Sequence, residues 1–344
     1  MAAATCPLVL LTGFLGSGKS TLLARLIRDP GFADTAVIVN EFGAVGLDHA
    51  LVSAGQEDTA VLLDSGCICC TLTSSLEETL EDLYYRRERG EIPAFARVVV
   101  ETTGLADPGP IANALAGGPF VARFFHLAAI VTTVDSVHGA DQLAAFDEAR
   151  TQVAMADRLI VTKGDVATPG QVAAVAAALD RLAPHADRHA AVSGAIAPAV
   201  VLGTGTLTSR TAAGAMAPPA CPPGCDHPDH GHGHDHAGAD HVAQHGFVSQ
   251  VLRLDGPVTW AGYAAWVRGL QTTLGDRLLR AKGVLAFDDG AVYAVQGVRL
   301  LFDPPRRLDW TPDPGLIGTL VVIARDADPA DLAATRIWFD AAAV

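Results

Sequence analysis

Over residues 1–205, short apolar runs alternate with helix-period patterns. Pro7 to Thr12, Thr35 to Asn40, Ala60 to Asp64, Arg97 to Glu101, Leu127 to Val134, Arg158 to Thr162 and Ala190 to Val192 are each rich in Val, Ile or Leu. Runs this short and this apolar predict parallel strands buried on both faces. Helical patterns lie between them, beginning with Thr21 to Arg28. The clearest places Leu72, Leu76, Leu80 and Leu83 on one face, with Ser74 and Glu77 spaced as a capping box. The alternation predicts an α/β fold, a mostly parallel sheet flanked by helices, with ligands beyond the carboxyl ends of the strands. Lys19, Glu41, the cysteines near 67, Glu101, Asp135, Lys163 and Asp165 all follow predicted strands.

The pattern stops at Thr206. From there to His245 the chain is Gly, Pro, Ala, His and Cys with no periodicity able to bury a face, so 206–245 reads as a flexible His-rich linker. Strand-like runs resume at Phe247 to Leu254, Val284 to Phe287, Ala291 to Gln296, Arg299 to Phe302 and Thr319 to Ile323. With helical patterns at Tyr263 to Leu274 and Pro329 to Phe339, residues 246–344 predict a smaller α+β domain. Two domains suit a chain of 344 residues. A formal net charge of −14 argues against a nucleic-acid or membrane-surface partner, since both reward a basic face. No apolar run approaches the roughly 18 residues of a membrane span. No basic segment precedes the first apolar run, so that run reads as a core strand rather than a signal peptide, and the cytoplasm is the expected compartment. Six cysteines there point to metal or redox chemistry rather than a disulfide framework.

Three motifs define a nucleotide site. Gly13 to Thr21, GFLGSGKST, fits the G-x-x-x-x-G-K-[ST] phosphate loop and lies between a predicted strand and a predicted helix. Gly13, Gly16, Ser17 and Gly18 let backbone N–H groups curl around phosphate oxygens, Lys19 adds a charge on the outer phosphates, Ser20 faces Mg²⁺, and Thr21 opens the helix. Thr162-Lys163-Gly164-Asp165 matches the [NT]-K-x-D element in which the aspartate accepts from guanine N1–H and N2–H, an arrangement that adenine cannot satisfy. Glu101-Thr102-Thr103-Gly104 occupies the place of the D-x-x-G element that senses the γ-phosphate and Mg²⁺, with glutamate for aspartate. Lys19 and Glu101 are the expected catalytic residues, and no residue is assigned to the attacking water.

Gly66-Cys67-Ile68-Cys69-Cys70 places three thiolates within four residues, ahead of a capped helix. Adjacent Cys69 and Cys70 would make a strained disulfide, whereas three sulfurs with one open or borrowed position suit Zn²⁺ in a site that fills and empties. Glu41 and Asp48 are each open to three readings: a further ligand, a Mg²⁺ contact or a solvated loop carboxylate. Seven of the twelve histidines lie in the linker, at His227, His230, His232, His234, His236, His241 and His245. Alternating imidazoles, joined by Cys221 and Cys225, suit a loose local metal store. His126 and His138 read as structural or exposed.

GFLGSGKST, VNEFGAVGLD, GCICC, ETTGLADP and TKGD in this order resemble the CobW-like metallochaperone GTPases, P-loop GTPases related to the nickel-insertion proteins for hydrogenase and urease. Leu279-Arg280-Ala281-Lys282-Gly283 resembles part of that family's C-terminal domain. The resemblance implies a P-loop GTPase domain and GTP-dependent delivery of a transition metal to a client protein from Cys67, Cys69 and Cys70; with no residue assigned to the attacking water, slow GTP hydrolysis is expected. It departs from the family at Thr162, where asparagine is usual. Zinc is the first expectation, with cobalt for cobalamin biosynthesis as the alternative; a homodimer is left open. Two other classes compete. A nucleotide-independent metal buffer is opposed by intact Lys19, Ser20 and Asp165, and an ATP-using kinase by Asp165.

Overall fold

The computed structural model describes residues 5–39, 60–62, 68–71, 75–203, 246–335 and 337–341. The chain divides into two compact units, Met1–Thr206 and Leu207–Val344. The first holds an eight-stranded sheet made of β1 (Cys6–Gly13), β2 (Thr35–Val39), β3 (Ala60–Leu62), β4 (Ile68–Thr71), β5 (Arg97–Glu101), β6 (Phe125–Asp135), β7 (Arg158–Thr162) and β8 (Asp187–Ala191). Their order is β3-β4-β2-β5-β1-β6-β7-β8, with parallel neighbours everywhere but at the β3 edge. Ala60 to Asp64 was expected as a parallel strand. It is instead three residues long and antiparallel to β4, a strand that the pattern did not single out.

The helices are α1 (Lys19–Leu26), α2 (Leu76–Glu88), α3 (Pro108–Gly117), α4 (Pro119–Phe124), α5 (Gly139–Ala145), α6 (Asp147–Ala154), α7 (Pro169–Leu182) and α8 (Pro198–Leu202). Local chemistry sets their starts. α7 opens on a capping box between Thr168 and Gln171, with Pro169 in the first turn, where its missing N–H costs nothing. On α2 the capping box is Ser75 with Glu78, one residue beyond the expected Ser74 and Glu77. Either pair has the right spacing, and Ser75 is the residue with extended φ and ψ that leaves its hydroxyl free to accept. Val9, Leu11, Leu22, Leu26, Phe32, Val37 and Val99 fill one core between sheet and helices. From β1 the chain first builds outward through β2 and β4, then reverses through β6, β7 and β8. The crevice at the carboxyl ends of β5, β1 and β6 is therefore the switch point where such sheets take ligands.

In the second unit β9 (Phe247–Arg253), β10 (Leu278–Ala286), β11 (Val292–Val298), β12 (Leu301–Phe302) and β14 (Thr319–Arg325) form an antiparallel sheet in the order β12-β11-β10-β14-β9, and β13 (Arg306–Arg307) pairs with β11. α9 (Trp260–Leu274) buries Tyr263, Trp266, Leu270 and Leu274 on one face. The Leu279 to Gly283 motif lies inside β10, where a Cβ on Gly283 would stand 2.6 Å from the Thr319 carbonyl of β14. The expected closing helix is two short ones, Pro329–Ala334 and Ile337–Ala341. Thr335 folds its hydroxyl back onto the Leu332 carbonyl at 2.7 Å, a local bond that competes with continued helix. Among the described residues no helix is long and apolar enough to cross a membrane.

Candidate functional site

β1 delivers the chain into the phosphate loop at Gly13, whose φ is 143°. A Cβ there would stand 2.2 Å from Thr133 Oγ1 and 2.5 Å from the Thr133 carbonyl, so β6 leaves room only for glycine. Thr133 in turn holds the loop, its hydroxyl 2.6 Å from Ser17 Oγ. α1 begins at Lys19, directly behind the loop. Lys19 is buried, and its Nζ donates to the carbonyls of Gly13 at 2.7 Å and Phe14 at 3.4 Å, which folds the ammonium back over the loop. Ser20 Oγ donates to Glu101 Oε1 at 2.9 Å, although 81 residues separate them. Glu101 is the last residue of β5 and is buried. A hydroxyl and a carboxylate side by side at a phosphate loop are hard oxygen donors of the kind Mg²⁺ takes. Thr21 sits exposed in the first turn of α1.

The Thr162 to Asp165 element is fixed to the same loop. Thr162 Oγ1 donates to the Ser17 carbonyl at 2.7 Å, so the hydroxyl of a threonine makes the tether at the position where asparagine is usual. Lys163 has φ 57°, a conformation uncommon for a side-chain-bearing residue, and its ammonium lies 2.8 Å from Asp135 Oδ2. Asp135 is almost wholly buried at the end of β6 and also accepts from the Val137 N–H at 2.7 Å. Burial alone would push its carboxyl up, but Lys163 and the backbone N–H groups outweigh it and hold the carboxyl below the ordinary range. Asp165 is exposed. Asp135 was legible only as a polar residue after a strand; its partner across 28 residues was not.

Cys69 and Cys70 lie within β4 rather than beyond the end of a strand. Cys69 pairs with Val37 of β2 and Val61 of β3, and Cys70 with Ile38 and Ala60. The pattern missed β4 because it is only four residues long and follows Ser65 and Gly66, which read as a turn. Cys67, Glu41, Asp48, the linker histidines from His227 to His245, and Cys221 and Cys225 lie outside the described residues. Among the described residues no cluster of three His, Cys, Asp or Glu side chains is placed to hold a metal. His126 is structural, with Nδ1 2.8 Å from Thr5 Oγ1.

Cys6 supplies a contrast. Burial pushes its thiol up to about 11, more than Arg87 and Arg97 pull it down. Almost none is thiolate at neutral pH, and the thiolate is the nucleophile and ligand. Native protein treated with iodoacetamide at pH 7.5 should therefore leave Cys6 unmodified, as read by peptide mass. Modification of Cys6 in folded protein would show that β1 opens.

A model of the CobW/HypB/UreG nucleotide-binding domain matches residues 7–190, and one of the cobalamin synthesis protein CobW C-terminal domain matches residues 247–335. The chain belongs to the CobW/HypB/UreG family. The matched nucleotide-binding span of this CobW/HypB/UreG member runs from the second residue of β1 to within one residue of the end of β8. It is 33% identical over 305 residues to the zinc chaperone YjiA of Escherichia coli strain K12, a match covering 88% of this chain and 87% of that one. The crystal structure of Zn(II)-bound YjiA GTPase from E. coli aligns with a TM-score of 0.70 at 28% identity, covering 98% of this chain and 99% of that one. The zinc-regulated GTPase metalloprotein activator 1 of Schizosaccharomyces pombe is 34% identical over 166 residues, 46% of this chain and 39% of that protein. The fold of this CobW/HypB/UreG chain is that of a P-loop GTPase followed by a separate antiparallel domain.

Proposed function

We propose that this protein is a GTP-hydrolysing metallochaperone that binds zinc through Cys67, Cys69 and Cys70 and hands it to a client protein in step with its nucleotide state. The observation that carries the reading is an alignment of two sites across one sheet. Val39 at the end of β2 pairs on one side with Glu101, which meets Ser20 of the phosphate loop, and on the other with Thr71, the residue after Cys70. At 4.7–4.9 Å per strand, β4 lies only about 10 Å from β5. A loop rearrangement that moves Glu101 acts on the strand carrying the cysteines through one intervening backbone. The relatives named zinc chaperones support zinc over cobalt.

In this reading the loop N–H groups, Lys19 and Ser20 bind the phosphates, and Glu101 and Ser20 hold Mg²⁺. Bound there, Mg²⁺ supplies charge neutralisation for the phosphates. Lys19 stabilises charge that develops on the transferred phosphoryl oxygens, and Thr162, Lys163 and Asp165 hold the guanine. Turnover is expected to be slow, since none of the motif residues is assigned to the attacking water. The linker histidines hold weaker equivalents of metal near the donor site. The GTPase unit spans 1–205, the linker 206–245 and the C-terminal domain 246–344.

The guanine reading is tested first. GTP should be preferred over ATP by at least about tenfold, or 1.4 kcal/mol, in competition for a fluorescent guanine nucleotide. Asp165→Asn should erode that preference, because one acceptor facing N1–H and N2–H becomes a donor. Equal competition by ATP and GTP against the native protein would remove Asp165 from the base site.

A further inference from the structure

The loop after Glu101 is held from behind. Gln152 on α6 is fully buried, and its amide nitrogen donates to the carbonyls of Gly104 at 3.2 Å and Ala106 at 2.9 Å. Because both partners are carbonyls, the amide must face them with its NH₂ group, which turns Oε1 away. That oxygen is buried and has no hydrogen-bond partner among the described residues. Gln152 also lines a cavity of about 10 Å³ with Phe14, Thr133 and Val153, the size that holds one water. On its other side the loop is pressed against the phosphate loop: a Cβ on Gly104 would stand 2.8 Å from the Leu15 nitrogen and 2.9 Å from its Cα. Just before it, Thr102 N–H donates to the Leu11 carbonyl at 3.0 Å, and its hydroxyl to Thr12 Oγ1 at 2.9 Å.

A buried amide with one end unmatched is less favourable than an apolar side chain of the same shape. Its place on α6 is accounted for by the two carbonyls it holds, both in the segment that follows Glu101. We propose that Gln152 is a positioning residue for GTP hydrolysis. It clamps the 104–106 backbone against the phosphate loop in the placement that meets the γ-phosphate, and does so without touching nucleotide. A residue whose work is confined to packing would affect GTP and GDP alike; this one acts only where a γ-phosphate is present. The inference rests on the GTPase reading given above.

Gln152→Glu keeps the shape and replaces the donors with an acceptor. Losing two hydrogen bonds and facing two carbonyls with an oxygen should lower kcat for GTP by about tenfold. The affinity for a non-hydrolysable GTP analogue relative to GDP should fall by a similar factor, while GDP affinity stays within about twofold. Residual activity should rise as pH falls, because a protonated carboxyl regains one donor. Gln152→Met, which removes both donors at similar length, should show the same loss without the pH recovery, and it carries the test if the glutamate variant does not fold. Native protein that hydrolyses no GTP would remove the reading beneath the inference. Native protein that does so, with both variants retaining its kcat and its analogue-to-GDP ratio within twofold, overturns the inference alone. Equal losses for GDP and the analogue overturn it as well.

Discussion

Lys19→Ala is expected to lower kcat/KM for GTP hydrolysis by about 10²–10³-fold, the usual loss when one preorganised charge-stabilising donor is removed from a transition state. The ammonium lies at the phosphate loop. It is buried and held by the carbonyls of Gly13 and Phe14, so little reorganisation is left for the moment of reaction. Negative charge spreads over the outer phosphoryl oxygens as the bond breaks, and a fixed cation at the loop lowers that state more than the ground state. The substitution should not unfold the protein. Alanine is a strong helix former at the first position of α1. Single-turnover hydrolysis with thermal unfolding measured beside it separates the effects. A variant that melts like the native protein yet hydrolyses GTP within a few-fold of its rate would show that the outer phosphates are stabilised elsewhere.

The form of the phosphate loop was legible because its constraints are local. Gly13 turns the chain with φ 143°, a value that favours glycine, and Lys19 has to follow the loop at once, so both requirements are written within nine residues. The apolar runs of β1, β2, β5 and β7 were legible for a similar reason, since strands covered on both faces admit little but Val, Ile and Leu. What escaped depends on partners that no local pattern names. The hydroxyl of Thr162 reaches Ser17 across 145 residues, Thr133 reaches Ser17 across 116, and Gln152 finds carbonyls 46 and 48 residues away. An amide that bonds to backbone leaves no complementary side chain to look for. β4 escaped because it is only four residues long and is made a strand by its register with β2. The capping box slipped by one residue because the spacing of Ser74 with Glu77 equals that of Ser75 with Glu78.

Zinc should bind about 5- to 150-fold more tightly when the protein holds Mg²⁺ and a non-hydrolysable GTP analogue than when it holds GDP, a coupling of roughly 1–3 kcal/mol. The proposed chaperone cycle depends on this difference. A metal held equally well in both states would not be released by hydrolysis, because a ligand shifts an equilibrium only by its differential affinity. The sheet supplies a physical connection. Cys69 and Cys70 pair with Val37 and Ile38, which pair in turn with Val99 and Val100, and the next residue of β5 is Glu101 against Ser20. Linkage makes the effect reciprocal: bound zinc must tighten the GTP analogue over GDP by the same factor. Two variants remove it from opposite ends. Replacing Cys67, Cys69 and Cys70 together by serine should abolish tight metal while nucleotide still binds, and Lys19→Ala should leave the metal site filled but indifferent to nucleotide. Titration of the native protein against a chromophoric zinc chelator, with each nucleotide in excess, reads the factor directly. Identical zinc affinities in the two states would leave a GTPase and a metal site on one sheet with no work passing between them, and the switch mechanism would have to be abandoned.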